Sequence, residues 1–166
     1  LEVVEVNLET LDALHAATAL HRLARYSQGQ PGEAETVAFA RDPVRASLLE
    51  RLNMEGALEE LSAQGRCCAL WALARLGVAP PWLPRLLRLC AESAPSLSAH
   101  QLATALHALS RLRAPPEDPQ LLEALHRELR RRQGSLGPGG TSAMDTVLLA
   151  DALARLRVHD EELFAA

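Results

Sequence analysis

A chain of 166 residues with 48% apolar content is long enough to bury one substantial core, and its formal net charge of −4 excludes a uniformly cationic surface. Aromatic residues make up only 3%, so leucine and alanine must supply the packing, which suits closely spaced helices. No run of 18 or more apolar residues is present to span a bilayer, and the opening LEVVEVN lacks the basic, apolar and cleavage regions of a signal peptide.

One all-α domain is the expectation. All 17 basic residues are arginine and isoleucine is absent, a bias that GC-rich coding explains, so the number of arginines alone carries no functional weight. A local basic stripe remains compatible with an acidic whole. Cys67, Cys68 and Cys90 are odd in number, two are adjacent, and none shows CxxC spacing; buried, reduced thiols are predicted rather than bridges. Without an initial Met, and with an ending LFAA where another helix would just be starting, the chain reads as a processed or partial one.

In chain order, a first helix is predicted near 10–26, then a loop over QGQPGE (28–33) and helical segments near 43–52 and 54–61. Leu61 and Ser62 offer the next cap; a helix follows to residues 76–78, the breaker APP (79–81) stops it, and Leu83, Leu86, Leu87 and Cys90 mark its partner. Leu97 and Ser98 cap a helix over 99–112, in which Leu102, Ala105, Leu106, Leu109 and Leu112 follow helical spacing. RAPP (113–116) ends it, because proline removes an amide donor and disfavours helical geometry in the residue before it. Asp118 and Pro119 then open a helix through Leu121, Leu122, Leu125 and Leu129. QGSLGPGG (133–140) is predicted as a surface loop, Thr141 or Ser142 caps a helix through Leu156, and His159 and Asp160 can start another.

One motif returns four times in this order: LHRLARY (20–26), LWALARL (70–76), LHALSRL (106–112) and ADALARL (150–156). Aligned on Arg25, Arg75, Arg111 and Arg155, the copies lie 50, 36 and 44 residues apart, the range of helical-pair repeats. The prediction is an α-solenoid of stacked antiparallel helix pairs, about three and a half units, over 8–61, 62–96, 97–140 and 141–166, the first unit carrying an insertion.

The segments LS (61–62), LWALARLGV (70–78) and PPWL (80–83), and after them LS (97–98), LHALSRL (106–112) and PP (115–116), resemble the octotricopeptide and related RAP- and FAST-kinase-associated α-helical repeats of organellar RNA factors. The resemblance covers about residues 60–166 well and the beginning poorly, and it includes no RAP domain or nuclease motif. It implies a mitochondrial protein, or alternatively a plastid one, that holds an organellar transcript or rRNA. It also implies neighbouring protein subunits, since some such proteins serve as structural members of organellar ribosomes.

Stacking places equivalent positions in columns, and a column facing a groove is where such arrays read a ligand. One column holds His21, Trp71, His107 and Asp151; its rings can stack on unpaired bases, or Trp71 can simply edge the core while the histidines stay solvated. Thr18, Cys68, Thr104 and Leu148 form a column too mixed for a code. Arg25, Arg75, Arg111 and Arg155 can form a phosphate ladder, since guanidinium donates in a fork; they also occupy last turns, where a cation complements the helix dipole. Arg127, Arg130, Arg131 and Arg132 form the dense basic patch, suited to RNA backbone or to a solvated helix end with Glu123 four residues ahead of Arg127.

Catalysis has little support. His15, His21, His100, His107, His126 and His159 show no HExxH-type spacing, and no P-loop or dinucleotide fingerprint is present, so neither metal, cofactor nor small-molecule substrate is expected. The alternative to RNA binding is a protein–protein scaffold within an organellar assembly. Alignment of Arg75, Arg111 and Arg155 with the 127–132 patch favours RNA; dispersal among acids favours the scaffold.

Overall fold

In the computed structural model, residues 11–27, 42–112, 120–132 and 142–158 are described. They form eight α-helices and one 3₁₀ turn, with no strand among the described residues: α1 (Ala13–Tyr26), α2 (Pro43–Asn53), α3 (Ala57–Glu60), α4 (Ala63–Leu76), α5 (Leu83–Ser93), the 3₁₀ turn (Ala94–Ser96), α6 (Ala99–Arg111), α7 (Gln120–Arg131) and α8 (Ala143–Arg155). The expected all-α class holds.

Local chemistry sets the helix starts. Asp12 accepts from the His15 amide at 2.8 Å, so α1 begins at Ala13 rather than near residue 10. Asp42 caps α2 with Pro43 in its first turn. Ser62 caps α4, and Ser98 and Ser142 cap α6 and α8 through reciprocal bonds with Gln101 and Asp145. The segment predicted over 54–61 shrinks to one turn, because Gly56 at φ 79° lies in the left-handed region and breaks the helix before Ala57. The expected stops and loops at 28–33, 113–116 and 133–140, the cap at Asp118 and Pro119, and the start at His159 and Asp160 fall outside the described residues.

The helices pack in two rows. Helix α1 lies against α4, α4 against α6, and α6 against α8; α2 and α3 lie against α1, α5 against α4, and α7 against both α5 and α6. Within the first row the helices run the same way. Arg75, near the end of α4, donates to carbonyls of Ala24 and Ser27 at the end of α1, while His100 and Asp145 meet near the starts of α6 and α8. The second row runs back: Arg66 at the start of α4 donates to the Ser93 hydroxyl at the end of α5, and Arg132 after α7 reaches the Leu97 carbonyl just before α6.

Alanine makes this spacing possible. Ala16, Ala17 and Ala24 on α1, Ala69, Ala72 and Ala74 on α4, Ala103, Ala105 and Ala108 on α6, and Ala152 on α8 are buried, so axes can approach toward the short end of the 8–10 Å helix-packing range. Leu20, Leu70 and Leu106, equivalent positions of the first three motifs, are 0% exposed and belong to one core with Leu58, Leu86, Leu102, Leu121 and Leu125. Cys67 and Cys90 are buried and Cys68 is half-buried, all three as free thiols.

Because Leu106 sits fully enclosed in that shared core, Leu106→Ala is expected to lower unfolding free energy by about 2–5 kcal/mol in urea denaturation, with helices on both sides of α6 losing protection together.

Candidate nucleic-acid interface

The two columns read from the motif lie side by side on the first row. His21 and Trp71 come together across α1 and α4, ring centroids 4.9 Å apart and tilted by 49°. Beyond them, Trp71, Ala74 and Arg75 of α4, Thr104, His107, Ala108 and Arg111 of α6, and Leu148 of α8 line an open cleft of about 250 Å³. Such a volume is slightly below the roughly 300–1,000 Å³ of small-molecule pockets and suits one flat group rather than a large cofactor. On the far side, the His107 Nδ1 is 3.7 Å from Asp151 on α8.

The arginine column is largely engaged by the protein itself. Arg75 donates through Nε to the Ala24 carbonyl at 3.4 Å and through Nη2 to the Ser27 carbonyl at 3.2 Å, satisfying groups that the end of α1 leaves open. Arg111 donates through Nε to His107 Nε2 at 3.1 Å. Arg155 holds both carboxylate oxygens of Asp151, at 3.0 and 2.9 Å. Arg75, Arg111 and Arg155 therefore each have a local role, Arg25 at the end of α1 is exposed, and Arg75 and Arg111 still border the cleft.

The contact from Arg111 fixes His107 Nε2 as an acceptor, which puts the proton of the neutral ring on Nδ1. That nitrogen is buried without a hydrogen-bond partner. Burial pushes His107 below its ordinary 6.5, and Arg111 pushes it the same way, with Asp151 acting in opposition. Burial lowers His21 as well, helped by Arg25. Both rings are thus held neutral, the state that stacks without carrying charge.

Arg127, Arg130, Arg131 and Arg132 do not join this surface. They lie at the end of α7, and Arg132 reaches the carbonyls of Pro95 and Leu97, before the start of α6, whereas Arg111 lies at its far end. The residue that the sequence reading missed is Glu128, buried between them. Arg131 holds it in a fork, with Nη2 to Oε1 at 2.6 Å and Nε to Oε2 at 2.9 Å, and Arg132 bonds the same carboxylate. Glu128 sits three and four residues before these arginines, the spacing that signals such a pair. Arg127 and Arg130 remain exposed.

Among the described residues, no group of three or more His, Cys, Asp or Glu is placed to hold a metal ion, and no helix is long and apolar enough to cross a membrane. No protein family, curated protein or solved structure matches the chain.

Two titrations follow. The arginine fork of Arg131, with Arg132 beside it, holds Glu128 at about 2 against an ordinary 4.5, despite burial acting the other way. The folded state favours the ionised carboxylate, so its contribution is complete above pH 4.5 and is lost as pH falls toward 2. Glu128→Gln is expected to be less stable than the parent at pH 7 by chemical denaturation, with the gap closing over that acid range. For the histidines the sign is opposite: the unfolded chain takes up protons near pH 6.5 before the folded one does, so stability falls as pH drops below 6.5. NMR titration should place His21 and His107 below 6.5, and His107→Gln should flatten the stability profile there.

Proposed function

We propose that the chain is an RNA-binding helical-repeat protein of an organelle, an α-solenoid whose first-row surface holds single-stranded or looped RNA. The observation that carries this reading is the convergence of Trp71 and Arg75 of α4 with His107 and Arg111 of α6 around one cleft, with the His21 ring of α1 against Trp71. Half-buried rings beside guanidinium groups are the combination that single-stranded RNA binders use: aromatic faces for bases, cations for phosphates. The two parallel rows support the stacked-pair arrangement, in which units add side by side and extend one continuous surface. The resemblance of residues 60–166 to octotricopeptide-like repeats supports an organellar address, mitochondrial first and plastid second, and a place as a structural subunit of an organellar ribosome that clamps rRNA among neighbouring proteins.

The separation of the 127–132 patch from the cleft, and the engagement of Arg131 and Arg132 by Glu128, favour a second reading: a scaffold that contacts only protein subunits. The two differ in a direct measurement. Binding to single-stranded and structured RNA should reach about micromolar affinity at low salt and weaken with salt through counterion release. Trp71→Leu, which keeps an apolar side chain but removes the stacking face, should cost about 1–3 kcal/mol of binding, and Arg111→Ala should flatten the salt dependence. Arg127→Ala with Arg130→Ala should have the smaller effect. A folded chain that binds no RNA at low salt overturns the first reading in favour of the scaffold.

A further inference from the structure

His107 stands between two partners that its two ring nitrogens meet differently. Arg111, one turn further along α6, donates through Nε to Nε2 at 3.1 Å, whereas Nδ1 is 3.7 Å from the Asp151 carboxylate of α8, too far for a hydrogen bond. With Nε2 accepting, the neutral ring carries its proton on Nδ1, so a buried donor is left without an acceptor while a carboxylate stands just out of reach. A buried polar group in that state costs stability and calls for a reason. Asp151 is half-buried and held on its other side by Arg155, at 3.0 and 2.9 Å.

A second proton on this ring must land on Nε2. The charged groups acting on the ring are Arg111 from α6, Asp151 and Arg155 from α8, and Arg75 from α4. Once protonated, Nε2 is a donor facing the Nε–H of a cation, and an attractive contact becomes a repulsive one. At Nδ1 the change has the opposite sign, because the positive ring is drawn to Asp151, where a charge-assisted bond of about 2.7–2.9 Å meets the orphaned donor. Arg111 borders the cleft and has no other hydrogen-bond partner among the described residues, so on losing His107 it can turn into the cleft.

We propose that His107 is a proton-operated latch on Arg111: the neutral ring holds the guanidinium beside it, and the protonated ring releases it to the cleft while closing onto Asp151. Burial and then Arg111 oppose protonation more than Asp151 favours it, which places the change below the ordinary 6.5 of histidine. The latch is therefore closed at neutral pH and opens in acid. By reciprocity, an RNA phosphate that draws Arg111 into the cleft raises the proton affinity of His107. That consequence rests on the RNA reading, whereas the latch itself does not. The first motif copy supplies an internal control: His21 has Arg25 at the same spacing, but Arg25 is exposed and acts on it through charge, and Trp71 rather than a carboxylate lies across from the ring.

Nitrogen-15 NMR of the full chain, from about pH 8 to about pH 5 across the histidine range, tests the latch. The neutral His107 ring should carry its proton on Nδ1. As His107 titrates, the Arg111 Nε–H signal should shift with the same midpoint and exchange with solvent about tenfold faster, as a released donor does. The exchange of the Arg25 Nε–H should not follow His21. His107→Gln should abolish the Arg111 transition, and Asp151→Asn should lower the His107 midpoint, because only cations then act on the ring. Should His107→Gln fail to fold, the parent titration and Asp151→Asn read the same coupling. An Arg111 signal indifferent to His107 overturns the proposal, as does a neutral ring with its proton on Nε2. Coupled signals in a chain that binds no RNA would uphold the latch and remove the RNA reading.

Discussion

Four helices lie side by side in one row, and buried alanine at recurring positions lets them approach one another closely. Ala17, Ala72 and Ala108 are buried among leucines of neighbouring positions, and one core extends from α1 to α8. A larger residue at an alanine buried between two row helices would separate them and, through them, the groups that each presents to its neighbour. The His21–Trp71 contact, the cleft between α4 and α6, and the His100–Asp145 and His107–Asp151 pairs all depend on this spacing.

Arginine performs the complementary task of closing polar ends. The helices leave carbonyls without intrahelical partners, and several long guanidinium side chains cross from one element to another to meet them. Arg75 serves the end of α1, Arg66 the carbonyls of Leu58 and Glu59 in α3, and Arg132 those of Pro95 and Leu97. Guanidinium suits this because its donors diverge in a plane and it is weakly hydrated for a cation. Joining units and binding a polyanion thus draw on the same residue type in this protein, and Arg75 and Arg111 stand where the two tasks overlap.

Asp145 shows how a capping device is recruited into tertiary contact. Its carboxylate accepts the Ser142 amide at the start of α8 and also faces His100 of α6 at 2.6 Å. Burial raises its affinity for a proton, yet the bonds from His100 and Ser142 outweigh this and hold the carboxyl below its ordinary range. One side chain thereby fixes both where α8 begins and how it lies against its neighbour.

Much of this was legible in the chain itself. Helix starts at Ser62, Ser98 and Ser142, the stop at Gly77, and the alignment of the two columns follow from capping chemistry and from a motif that returns with its arginine in register, because these are effects of residues within a few positions of one another. Which arginines face the cleft and which are engaged elsewhere depended on partners 35 to 51 residues away, such as Leu97 for Arg132 and Ala24 for Arg75. The four arginines at 127–132 read as one patch in sequence, whereas a helix turns by 100° per residue and Glu128 gathers two of them. Periodicity determined that the chain is helical and how its motifs align; only the packing of α1, α4, α6 and α8 decided which polar groups meet, because such pairings depend on distances between helices that no local spacing encodes.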